Sequence, residues 1–206
     1  MKTNVYVDGF NLYFGCLKHT PYKWLNIRAL CELLYPKNQI EKIVYCTALV
    51  NPRPNNPQQR IRQETYIRAL QTLPNLEVVY GTFMPSKVNM PLVNPTPGQK
   101  FAYVHKTEEK GSDVNLATHL LIDGFRSNYQ VAIVISNDSD LTLPIHVVSQ
   151  ELKLPVGVLN PQPKPARALL KVASFFAQIR SGPLSACQFP VTMTDVSGTF
   201  SKPTEW

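Results

Sequence analysis

The four cysteines, Cys16, Cys31, Cys46 and Cys187, are scattered, and no two form a C-x-x-C pair. There is also no H-E-x-x-H run and no Cys/His cluster to support a zinc site. Several of the cysteines sit inside apolar runs and read as buried free thiols of a reducing cytosol, so a cytoplasmic protein is expected. No apolar run approaches the roughly 18 residues that a membrane span needs. The chain passes from Met1 almost directly into a strand, with no signal peptide read there and no membrane partner expected. No G-x-G-x-x-G follows the first strand and no G-x-x-x-x-G-K-[ST] occurs, which removes the dinucleotide and P-loop phosphate cradles. No repeat with a period of 20–50 residues is visible.

What remains is 206 residues, 44% hydrophobic and 17% charged, a composition of globular proteins. That length suits one domain. Its expected bounds are residues 1–180, with 181–206 a tail packed on it, because Phe189, Val191, Met193, Phe200 and Trp206 are too apolar for a free end. The formal net charge of +7 favours an anionic partner, nucleic acid being the commonest, although charge alone fits a merely basic globular protein as well.

Short apolar runs alternate with helical periodicity. Asn4–Asp8, Ile40–Leu49, Leu76–Phe83, Val131–Ile135 and Leu154–Leu159 read as strands. Helices are expected after Asn26, an N-cap, and over 58–73, 112–125, 141–152 and much of 166–179. In the 112–125 helix Ser112 is the expected cap, with Val114, Ala117, Leu121 and Phe125 sharing a face. This order is that of βαβ units, hence an α/β fold with a mainly parallel sheet and helices on both faces. Residues 84–106 break the pattern with prolines and two short β-like runs, and read as a loop or hairpin excursion. Lys87, Lys100, His105 and Lys106, with Phe101 and Tyr103 among them, fit two readings equally: a grip on nucleic acid by phosphate contact and base stacking, or a solvated hairpin.

The chemistry gathers at strand ends. Val131–Ile135 runs into Ser136-Asn137-Asp138-Ser139-Asp140, which puts two carboxylates just past a buried strand. In open α/β sheets that edge binds ligands. Asp8 ends the first strand in the same way, followed by Gly9, which permits a tight turn, and by Asn11, which can hold Asp8, touch a phosphate or cap the next turn. Asp113 begins a helix, where the helix dipole alone would favour an acid. Clustered carboxylates repel unless a cation lies between them, and Mg²⁺ or Mn²⁺ is the oxygen-liganded solution. In a basic protein the combination points to phosphodiester hydrolysis. An aspartyl phosphatase would want a second acid two residues after Asp8, and that position is Phe10.

Three motifs together resemble the NYN-domain proteins, a branch of the PIN-like nuclease superfamily. They are Asp8-Gly9-Phe10-Asn11-Leu12, Glu109-Lys110-Gly111-Ser112-Asp113-Val114-Asn115-Leu116-Ala117 and Ser136-Asn137-Asp138-Ser139-Asp140. The runs at Gln188-Phe189-Pro190 and Lys202-Pro203-Thr204-Glu205-Trp206 are similar to a bacterial subgroup. The resemblance implies a PIN-like three-layer α/β/α sandwich and a metal-dependent ribonuclease. It places metal-site acids at Asp8, Asp113, Asp138 and Asp140, and the family's Asn at Asn11. The third motif departs from the family at Asn137, where Gly is usual, and at Leu141, where Phe is usual. Asn tolerates the left-handed backbone that such a turn can need. His119 stands where relatives often carry Asp and is given no role.

The leading expectation is therefore RNA cleavage at an Asp-bound metal, with Asp8, Asn11, Asp113, Asp138 and Asp140 as catalytic residues and Arg53, Lys106, Lys110 and Arg167 as phosphate contacts. One alternative is a non-catalytic RNA-binding module, against which the intact carboxylates argue. The other is a metal-dependent nucleotide phosphatase, which the basic excursion disfavours. An open groove fits a strand, a closed pocket a nucleotide. A homodimer is compatible with any of these.

Overall fold

The run Val131–Ile135 is buried at every position, as a strand with neighbours on both sides and helices on both faces has to be. The computed structural model describes all 206 residues. In chain order it contains β1 (Lys2–Asp8), α1 (Gly9–Leu12) continuing into a π-helical turn at Tyr13–Leu17, α2 (Ile27–Leu34), β2 (Gln39–Thr47), α3 (Gln59–Gln71) and β3 (Leu76–Tyr80). A hairpin follows, β4 (Thr82–Thr96) and β5 (Gln99–Lys110), then α4 (Ser112–Phe125), β6 (Val131–Ile135), α5 (Thr142–His146) and β7 (Val156–Asn160). The chain closes with α6 (Arg167–Val172), β8 (Phe175–Gln178), α7 (Ser181–Ala186) and a small hairpin, β9 (Thr192–Asp195) and β10 (Gly198–Ser201).

Six strands form one sheet in the order β3-β2-β1-β6-β7-β8, every pair parallel. Alternate residues feed two cores. Val5, Val7, Ile43, Tyr45, Ile133 and Ile135 join the larger one, shared with α2, α3 and α7. Tyr6, Val44, Cys46, Ala132, Val134 and Val158 join the smaller one under α4, α5 and α6. The result is the α/β/α sandwich with a parallel sheet that the sequence led us to expect. The chain runs outward from β1 on one side and from β6 on the other, so strand order reverses between them. Ligand crevices of parallel sheets open at that point, beyond the carboxyl ends. Val7 lies opposite Ile135, which brings Asp8 and Ser136 side by side.

Three local readings are corrected. The helix expected over much of 166–179 stops at Val172, and Phe175–Gln178 becomes the sixth parallel strand. Ser174 causes the change: its N–H donates to the Val156 carbonyl at 2.8 Å and its Oγ accepts from the Val156 N–H at 3.1 Å, docking the chain on β7. Ser112 is the first helical residue of α4 and not its cap; the cap position is Gly111, at φ +99°. α4 also buries a different face: Leu116, Leu120, Asp123 and Gly124 point inward, leaving Val114 68% and Phe125 66% exposed.

Asp123 explains that rotation. Its carboxylate accepts from the buried Tyr6 hydroxyl at 2.9 Å and from Asn128 Nδ2 at 2.9 Å, and it lies 3.6 Å from the Lys42 ammonium. Burial pushes the Asp123 carboxyl up, but the Asn128 and Tyr6 hydrogen bonds and the Lys42 charge more than offset it and hold it below the usual range. Such a group stabilises the fold above the unfolded pKa of about 4, and that contribution is lost as pH falls through the folded value. Asp123→Ala is therefore expected to cost about 2 kcal/mol at pH 7 by leaving the buried Tyr6 hydroxyl without an acceptor, about 4–8 °C in Tm. Thermal unfolding across pH checks this: the gap from wild type should narrow below about pH 4.

Candidate active site

Asp8 is the last residue of β1 and only 5% exposed. As the strand turns into α1, Asp8 becomes its N-cap, and Oδ1 accepts the Asn11 N–H at 2.9 Å. Its other oxygen, Oδ2, accepts from the buried Ser136 Oγ at 3.0 Å. Ser136 Oγ in turn accepts the Asp138 N–H at 3.1 Å, and Asp138 Oδ1 accepts the Asp140 N–H at 2.9 Å. Asn11 Oδ1 takes the Asn137 N–H at 3.1 Å. The ends of β1 and β6 are thus laced together by side chains. Gly9 is needed here for close approach: a Cβ would lie 2.7 Å from the Tyr45 hydroxyl and 2.9 Å from the Cys46 carbonyl oxygen.

Asp113 arrives from the returning hairpin, in the first turn of α4. Glu109 Oε1 fixes that turn by accepting from the Ser112 N–H at 3.1 Å and the Ser112 Oγ at 2.8 Å. Asp8, Asn11, Asp113, Asp138 and Glu109 line one chamber of about 240 Å³, with Phe10 and Phe14 on its apolar wall. No Lys, Arg or His lines it.

The electrostatics follow from that imbalance. Burial pushes the Asp8 carboxyl up and the Asp138 charge adds to it, while hydrogen bonds from Asn11 and Ser136 pull the other way. Asp113 is raised to about 6, first by burial and then by repulsion from Asp8, Asp138, Glu109 and Asp140. Burial first, and then the Asp8 and Asp113 charges, push the Cys46 thiol up to about 12, so the negative field reaches the end of β2.

The structure brings Asp8, Asn11, Asp113 and Asp138 together around one space. Asp140 is exposed and outside the lining, although its charge reaches Asp113. No three His, Cys, Asp or Glu side chains stand close enough to hold an ion as they are arranged. The donor set nonetheless consists of carboxylate oxygens with no cation in the same lining, the chemistry that Mg²⁺ and Mn²⁺ accept. The four basic residues named from sequence do not line this chamber. Arg53 and Arg167 are exposed, after β2 and at the start of α6. Lys106 and Lys110 both pair with Glu108. Alternation along β5 puts all three on the ribbon face opposite Glu109, which lines the chamber.

Sequence reasoning assigned no role to Ser136, Glu109 or Gln162. Ser136 carried a faint signal, a small hydroxyl ending an all-apolar strand. Glu109 and Gln162 reach the chamber only through the hairpin's return and the loop after β7.

Comparison with known proteins agrees with the fold. The NYN domain family matches residues 2–180. A Pseudomonas putida protein named 6-hydroxy-3-succinoylpyridine 3-monooxygenase is 29% identical, over 100% of this chain and 75% of its own length. A crystal structure of a Vibrio parahaemolyticus protein of unknown function superposes with a TM-score of 0.58 at 16% identity, covering 87% of this chain and 93% of that one, a likeness of fold. No helix is long and apolar enough to cross a membrane.

The Asp113 shift predicts a stability effect. Its folded pKa of about 6 lies above the unfolded value of about 4, so folding disfavours the charged form and stability falls as pH rises through about 6. In EDTA at pH 7.5, Asp113→Asn should raise Tm, and the gain should disappear as pH drops toward 4. A variant less stable than wild type at pH 7.5 would mean that the carboxylate has a stabilising partner.

Proposed function

We propose, from the premise that this chain belongs to the NYN domain family, that it is a metal-dependent ribonuclease hydrolysing RNA phosphodiester bonds at the acid chamber. The observation that carries this is the convergence of Asp8, Asp113 and Asp138 in a chamber whose lining holds no cation, at the switch point of a parallel sheet in a protein of net charge +7. Asp8, Asp113 and Asp138 would hold Mg²⁺ or Mn²⁺, with Asp140 at the rim. Such an ion polarises phosphate oxygens and lowers the pKa of water.

The chain's own residues set the stage for that chemistry. Ser136 and the Asn11 N–H hold both oxygens of Asp8, so its carboxylate would receive an ion without reorganising. Phe10 and Phe14 offer an apolar wall to a base, and Phe14 is 57% exposed. The chamber continues into a second one, an extended groove that suits a strand better than a single nucleotide.

A second reading rests on the Pseudomonas putida relative, whose name describes oxygenation of a pyridine and whose match runs along the whole chain. A non-catalytic RNA-binding role on the same fold is a further outcome for the test. Purified protein is incubated with single-stranded RNA and Mn²⁺ or Mg²⁺, with and without EDTA, beside the 6-hydroxy-3-succinoylpyridine reaction. RNA cleavage abolished by EDTA is expected. Asp138→Asn with Asp140→Asn should lower it on the order of 100-fold or more. Ser136→Ala, which only unlaces Asp8, should lower it about 10–100-fold. Salt-sensitive RNA binding without cleavage, or turnover of the pyridine alone, would overturn the ribonuclease reading.

A further inference from the structure

The second chamber is larger, about 580 Å³, and chemically unlike the first. It is lined by Asn11, Asn137, Asp138, Ser139, Gln162, Pro163 and Lys164, with no aromatic or aliphatic hydrophobe among them. Asn11, Asp138 and Gln162 line both chambers, so the two are continuous. Lys164 is the one cation in either lining. Four side-chain donors there, Asn11 Nδ2, Ser139 Oγ, Gln162 Nε2 and Lys164 Nζ, make no hydrogen bond or ion pair within the chain, whereas Asn11 Oδ1 and Asn137 are committed.

Asn137 is committed to holding this wall. Its Nδ2 donates to the Lys164 carbonyl at 2.9 Å, its Oδ1 accepts the Ala166 N–H at 2.7 Å, and its own N–H donates to Asn11 Oδ1 at 3.1 Å. The loop carrying Lys164 is thereby tied to the turn carrying Asp138. A glycine at 137, the usual residue of the resembling motif, would supply neither side-chain bond.

We propose that this second chamber is a subsite for the sugar–phosphate unit adjoining the bond cut in the acid chamber, with Lys164 on its phosphate and Asn137 as the positioning residue that holds Lys164 there. The proposal rests on the nuclease reading. A base wants a stacking surface, and the aromatics lie on the other chamber's wall. A phosphate with its ribose wants a cation and free amide and hydroxyl donors, which is what this wall offers. The substrate class is then a polynucleotide that fills both chambers, since a lone mononucleotide leaves the second one empty.

The test is fluorescence anisotropy of a labelled single-stranded oligouridylate, in EDTA so that nothing is cut, over a salt series. One lost phosphate contact on a single strand reduces the slope of log K against log salt by about 0.7. Lys164→Ala should show that reduction and bind about 5–10-fold more weakly near 50 mM salt. Lys164→Arg should restore the slope. Asn137→Gly, which keeps every charge, should also weaken binding, with its fold checked by thermal unfolding. Lys37→Ala, at the opposite end of the sheet, should match wild type. Equal affinity and slope for Lys164→Ala and Lys37→Ala, or no binding by wild type, would overturn the subsite. Cleavage with Mn²⁺ is scored separately. RNA cut by a protein whose binding ignores Lys164 leaves the nuclease reading and removes the subsite. Lys164-dependent binding without any cleavage does the reverse.

Discussion

The Ser136 hydroxyl, wedged between Asp8 and the Asp138 backbone, is the contact on which the rest of the site depends. It exists because Val7 and Ile135 pair in register, so the residues after them end side by side. Slipping the β1–β6 pairing by one residue would separate Asp8 from Ser136 and turn each strand's core residues to the wrong face. Two cores of unequal size, one on each face, prevent that slip. A buried carboxylate is costly to ionise, and here the two hydrogen bonds to Asp8 only partly offset burial, so the chamber keeps a standing electrostatic debt. Folded proteins tolerate such strain at sites of function.

The second organising constraint is the hairpin of β4 and β5. It leaves the sheet after β3 and returns at α4, and the return delivers Glu109, Ser112 and Asp113 over the ends of β1 and β6. Gly111, with its positive φ, makes the corner. The ribbon's basic residues look like a nucleic-acid grip in sequence, yet Lys106 and Lys110 are spent on Glu108 and lie on the face away from Glu109. Free cationic character at the site comes from Lys164, on the loop after β7.

Much of this could be read from the chain alone, for identifiable reasons. Val131–Ile135 and the first strand are apolar runs ending in acids, and strand ends are where parallel sheets bind ligands, so Asp8 and Asp138 were legible from local pattern. Asp113 was legible only through the family resemblance, because the helix dipole explains an acid there equally well. What was not legible depended on partners distant in sequence. Phe175–Gln178 is a strand because Ser174 meets Val156, and α4 turns Val114 outward because Asp123 meets Tyr6 and Lys42. Hydrophobic periodicity carries no information about either contact. Lys164 stands in no basic run, and Ser136, although it opens the third motif, is not itself an acid, so neither carries a charge pattern that marks it.

Hydrolysis at this chamber requires its three aspartates to act as one cation site. Calorimetric titration of Mn²⁺ into the metal-free protein tests this without any assumption about substrate. Saturable binding is predicted for wild type, lost in Asp8→Asn and in Asp138→Asn and unaffected by Asp195→Asn, whose carboxylate is already committed to Arg68. Binding that survives both chamber substitutions, or no binding by wild type, would contradict the account.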